Sequence, residues 1–221
     1  MTWLRKHRLH ISLHVLASAL IIFVLTRETP DWDTPERFEP MLESGVWALR
    51  LLLLCLAMTP LATYLGWKAA IGLRKPLGLW AFGFALAHAA FYLRADPRLT
   101  RWKEPELLFL LVGALALLIL TALALTSNRR AMRWLGRRWK RLHRLVYIAG
   151  IATVAHALLA AAMSKKMSMF DPYAIHELRI MAALLAVLLI VRIPQVRRHL
   201  QPALAALHRP PDRPQTDLQG G

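Results

Sequence analysis

Six apolar runs, each long enough to cross a lipid bilayer, constrain this chain more than any other feature: about 9–26, 45–65, 77–94, 106–126, 142–162 and 175–193. A helix needs about 20 mostly apolar residues to span the hydrocarbon core. Within that core each backbone polar group must find its partner in the segment itself, which leaves helices or closed barrels. The apolar residues here come in blocks, not as a 3.6-residue stripe or an alternation, so the expectation is all-α. The chain reads as a polytopic membrane bundle of six transmembrane helices, with the first and last runs the shortest or the most flanked by charge. The 57% hydrophobic content exceeds the roughly 45–50% of a soluble domain.

A formal net charge of +16 raises the question of nucleic acid, and its distribution answers it. With the N-terminus assigned to the cytoplasm and sides alternating, the cytoplasmic segments hold 19 of the 29 basic residues and two of the 13 acids, Asp212 and Asp217. Eight of those basic residues lie between Arg129 and Arg144. An excess of Lys and Arg on one side is the signature of membrane topology. The basicity therefore implies no nucleic acid partner, membrane lipid as the surroundings, and both termini in the cytoplasm.

The first run, preceded by RKHR, has no convincing small-x-small cleavage site and carries His10 and His14, so a retained helix is expected. The only cysteine is Cys55, which excludes a thiolate metal cluster and covalent haem attachment through C-x-x-C-H. No phosphate-cradling glycine motif is present, and no soluble segment is long enough for a nucleotide-binding domain. The outer connectors are an acidic, proline-bearing loop at 27–44 and two short ones around 95–106 and 165–172. The inner run TSNRRAMRWLGRRWKRLH reads as a topology anchor with Trp134 and Trp139 at the headgroups, or as a docking face for a cytosolic partner or anionic cofactor. Residues 1–193 form the membrane domain. Residues 194–221 form a cytoplasmic tail, mostly disordered beyond a short amphipathic stretch.

Nine histidines occur. His7, His10, His199 and His208 sit in basic flanks, where solvation explains them, and His176 starts the sixth run at the outer interface. His88 and His156 are different, because ionisable side chains inside spans face a partner or the bundle interior. Each lies six residues before the outer end of its run, Arg94 and Ala162, or roughly 9 Å deep. The third and fifth runs cross in the same direction, so the two imidazoles fall at one level. Two histidines at equal depth on different helices can clamp one haem iron from both faces. Close helix packing, suggested by the surrounding alanines, and a proton path remain open. His143 lies about 20 Å below His156 and roughly 140° around an ideal helix, so the two cannot share an iron. His14, roughly 8 Å inside the inner face, is the nearest partner in depth for His143. Arg50 is a candidate for a haem propionate, or a snorkelling interfacial arginine.

Three segments carry a further signal: MTPLATYLG at 58–66, RKPLGLWAFGFALAHAAFYL at 74–93 and LTSNRRAMRWLGRRWKRLHRLVYIAGIATVAHAL at 125–158. Together they resemble the haem-bearing membrane subunits of bacterial periplasmic methionine sulfoxide reductase systems, in the ferric-reductase-like transmembrane family. The resemblance covers most of residues 46–193, with LTS…LG..W..LH..VY its most specific part. It implies haem b, one or two, with His88, His143 and His156 as axial ligands. It also implies a bacterial inner-membrane location and electron delivery to a periplasmic molybdenum-cofactor methionine sulfoxide reductase, for repair of oxidised proteins. The implied donor is quinone of the respiratory chain or a cytosolic flavin reductase, and FMN is associated with the family. The alternatives are a stand-alone ferric or oxygen reductase, and a non-redox transporter or assembly factor. Relatives with the first role carry a second inner-level histidine on span three and a C-terminal flavin domain. Arg74 and Lys75 stand at that level here.

Overall fold

The computed structural model describes residues 2–26, 39–95, 107–163 and 172–207. The acidic loop, the two shorter outer connectors and the end of the tail fall largely or wholly outside them. Among the described residues the chain is helical, without strands: α1 (Thr2–Leu25), α2 (Glu39–Tyr64), α3 (Ala70–Ala95), α4 (Leu107–Leu125), α5 (Arg129–Leu135), α6 (Arg137–His143), α7 (Leu145–Met163), α8 (Pro172–Ile190) and α9 (Pro194–Leu207). The all-α polytopic bundle expected from the hydropathy blocks is what forms. Five helices are long and apolar enough to cross a membrane: α1 from Arg8, α2, α3, α4, and α6 with α7 as Arg137–Ala162. A sixth is reached if α8 and α9, bent by 83° at their junction, are taken as one broken span. The bend falls where Ile193 precedes Pro194, because a proline pushes the residue before it out of the helical region.

The α2–α3 turn closes at Gly66, whose φ of 70° suits a residue without Cβ. There the Trp67 N–H reaches back to the Leu61 carbonyl, six positions earlier. Next, α2 occupies the centre because it offers two apolar stripes. One, including Ala48, Leu52 and Cys55, packs with Leu77, Ala81 and Phe84 of α3 and with Val24 of α1. The other, Leu49, Leu53 and Leu56, packs with Val154 of α7 and with Leu178, Met181 and Leu185 of α8. At Gly150 of α7, a Cβ would lie 3.2 Å from the Leu56 side chain and 3.3 Å from that of Leu185. Large apolar side chains such as Leu16, Ile22, Leu118 and Ile180 face outward at 59–69% exposure, which suits lipid and not water. Since lipid is as apolar as the core, packing and polar contacts have to fix which helix meets which.

Polar ties do this between α2 and α8. At one end Arg50 Nε donates to Glu177 Oε1 at 2.8 Å, with a second contact from Nη2. At the other, the Tyr64 hydroxyl donates to the Val191 carbonyl. Between them Pro60 interrupts α2. Proline has no N–H, so the carbonyl four residues earlier, Leu56, loses its helical donor. The Arg192 guanidinium donates to that Leu56 carbonyl and to the carbonyl of Leu188 in its own helix.

Candidate functional site

The helical rise puts His88 of α3 and His156 of α7 each seven residues from the last residue of its helix, Ala95 and Met163. The bundle then brings the two together, with ring centroids 6.0 Å apart and planes at 79°. Each ring is anchored on the membrane-crossing helix that precedes its own. His88 Nδ1 lies 2.9 Å from the Met41 carbonyl of α2, and His156 Nδ1 lies 2.7 Å from the Phe109 carbonyl of α4. A carbonyl only accepts, so both Nδ1 atoms carry the proton and both Nε2 atoms keep a free lone pair. Neither Nε2 has a hydrogen-bond partner among the described residues.

This donor set fits a metal held between two imidazoles. Two metal–nitrogen bonds of about 2 Å and two ring radii of about 1.2 Å would separate the centroids by about 6.4 Å, close to the 6.0 Å found. A ring nitrogen donating to a backbone carbonyl is also the usual outer support of a ligating histidine. No group of three or more His, Cys, Asp or Glu side chains able to hold an ion exists among the described residues. The arrangement suits a two-ligand prosthetic group, not a protein-caged ion.

The two anchors are built alike, each with a glycine that hydropathy does not single out. Four residues after each carbonyl stands a glycine, Gly45 after Met41 and Gly113 after Phe109. A Cβ on Gly45 would lie 2.9 Å from His88 Nδ1, and one on Gly113 would lie 2.6 Å from His156 Nδ1. The available signal was spacing. Met41, Gly45 and His88 recur 68 positions on as Phe109, Gly113 and His156.

His143 is elsewhere. It closes α6, with Nε2 3.1 Å from Thr126 Oγ1 and its ring stacked on Trp139 at 4.0 Å and 28°. Trp139 in turn donates from Nε1 to the Thr126 carbonyl at 2.9 Å. The LTS…W…LH part of the sequence thus converges on one cluster beneath α4. Trp139 is half-buried against Thr126 and His143, whereas Trp134 is 85% exposed. His14 is not brought to His143, because α1 packs on α3, where the Trp80 indole donates to His14 Nδ1 at 3.0 Å. His10, expected to be solvated, lies over Gly72 of α3, where a Cβ would be 3.2 Å from its Nε2. Arg50 pairs with Glu177 and lies over the Trp47 ring at 4.6 Å.

Known proteins bear on this geometry. One relative, from Xanthomonas axonopodis pv. citri (strain 306), is named protein-methionine-sulfoxide reductase heme-binding subunit MsrQ. It is 45% identical over 118 residues, which is 51% of this chain and 54% of that protein. The chain therefore spans about half the length of the curated relative it matches. No solved structure matches. Residues 44–154, which run from α2 into α7 and contain His88 and His143 but stop two residues short of His156, match a ferric reductase like transmembrane component, and the chain belongs to that family.

Proposed function

We propose that this chain is a b-type haem electron-transfer subunit in the bacterial inner membrane, with His88 and His156 as the axial ligands of an outer haem. It would pass electrons from the quinone pool or a cytosolic flavin donor to a periplasmic molybdenum-cofactor methionine sulfoxide reductase. The observation that carries the reading is the pair of carbonyl-anchored imidazoles with free Nε2 atoms 6.0 Å apart between centroids. The family and the relative's name support the redox role and the haem.

Bound haem, held by His88 and His156, would supply a one-electron iron couple suited to electron transfer. The chain's own residues do the rest. The Met41 and Phe109 carbonyls hold the tautomer and orientation of the two rings. The apolar flanks of α3 and α7 keep water out, which with the ligands sets the potential. With both termini in the cytoplasm, the His88–His156 level lies toward the periplasmic partner. The basic residues Arg129–Arg144 then lie on the donor side, where they offer counter-charge to a flavoprotein or to an FMN phosphate. His143, whose Nε2 lies 3.1 Å from Thr126 Oγ1, would hold a second, inner haem in this reading.

A reduced-minus-oxidised spectrum of the purified chain tests the proposal. An α-band is expected, with the outer haem's share of it lost in His88→Ala and in His156→Ala; a colourless protein, or full haem in either variant, refutes it. Haem-to-protein stoichiometry of His143→Ala decides the inner haem. Proteoliposomes given quinol on one side and the reductase with methionine sulfoxide on the other test the donor and the partner.

A further inference from the structure

We infer that Gly45 and Gly113 are positioning residues for the two imidazoles, each acting only on the histidine seated over it. The inference rests on the haem reading above and goes beyond it to residues that touch no cofactor.

The physical argument begins with the helix. A helical carbonyl at position i points along the axis toward residue i+4, so the Cβ of residue i+4 stands at the rim of that oxygen. A second donor reaching the carbonyl from a neighbouring helix must pass that Cβ. At Met41 the residue concerned is Gly45, and at Phe109 it is Gly113. Built Cβ atoms would approach the imidazoles to 2.9 and 2.6 Å, closer than carbon and nitrogen tolerate. The ring cannot yield freely, because moving it breaks the 2.9 or 2.7 Å bond from Nδ1. The same construction occurs twice at a 68-residue displacement, and in both copies the glycine and the carbonyl lie on the membrane-crossing helix that precedes the one bearing the histidine. Not every glycine of the bundle has this setting. Gly83, five residues from His88 on α3, has nothing within 4 Å of a built Cβ.

Two consequences follow. The glycines set the plane of each ring, and they preserve the Nδ1–H···O=C bond that makes Nε2 a stronger donor. An added methyl should therefore change how the iron is held before it changes whether the bundle forms.

The experiment uses the full chain, purified with its haem, as Gly45→Ala, Gly113→Ala and the control Gly83→Ala. Expected is a shifted midpoint potential and altered low-spin ferric EPR g-values, or loss of the low-spin signal, in the first two. The control should match the unmodified chain. Unchanged potential and g-values in both variants would overturn the inference while leaving the haem reading intact; a colourless unmodified chain would overturn both.

Should either alanine variant fold poorly, thermal midpoints in cycles with the histidines decide. Gly45→Ala should lower the midpoint in the parent chain and leave it unmoved in His88→Ala, where the ring is gone. Gly113→Ala should behave likewise with His156→Ala, yet keep its full effect in His88→Ala. Equal losses in all backgrounds would mean that the glycines pack against something other than the rings, and the inference would fall.

Discussion

Arg192 and Pro60 should be energetically coupled although they lie 132 positions apart in the chain. Pro60 deprives the Leu56 carbonyl of its helical donor, and the Arg192 guanidinium donates to that oxygen. Replacing Arg192 with methionine keeps much of the packing and removes the donor. A hydrogen bond from a charged group contributes about 1.5–3 kcal/mol, and an orphaned buried acceptor costs about 1–3 kcal/mol. Part of the loss belongs to the Leu188 carbonyl, which Arg192 also serves, and that part does not depend on Pro60. Restoring a backbone N–H with Pro60→Ala gives Leu56 a donor again, so Arg192→Met should then cost less by about 1–2 kcal/mol. The four proteins of this double-mutant cycle can be compared by unfolding in mixed micelles, with tryptophan fluorescence as the signal. Additivity within about 0.5 kcal/mol would refute the idea that the arginine serves the proline's carbonyl.

Other contacts lead to narrower expectations. Removing one member of the part-exposed Arg50–Glu177 pair, as in Arg50→Gln or Glu177→Gln, should cost about 0.2–1 kcal/mol in micelle unfolding, and the charge-swapped double variant should recover part of it. Thr126→Val removes the hydroxyl facing His143 Nε2 and should lower stability by about 1 kcal/mol; its α-band from the His88–His156 site should be unchanged by difference spectroscopy. Trp139→Phe loses the bond to the Thr126 carbonyl and should cost about 1 kcal/mol. Trp134→Ala, at an 85% exposed position, should stay within about 0.5 kcal/mol, as read by the same unfolding assay.

The sequence alone determined whatever depends on distance along the chain. Hydropathy is additive over a window, so the membrane-crossing runs were legible, and the bundle has them. Helical rise is constant, so His88 and His156 could be placed at one depth before any packing was known, and their rings do meet. A proline states that the carbonyl four residues back has lost its donor, but not which side chain will supply one. Tertiary structure decided the direction each side chain faces around its helix, and the helix it faces. Azimuth drifts with each break, as at Arg144 between α6 and α7, and lipid gives neighbouring helices no hydrophobic reason to choose one another. For that reason Arg50 found Glu177, Trp139 stacked on His143, and His14 went to Trp80. Gly45 and Gly113 belong to the same class. A glycine in an apolar run has no visible purpose until the imidazole lying over it is known.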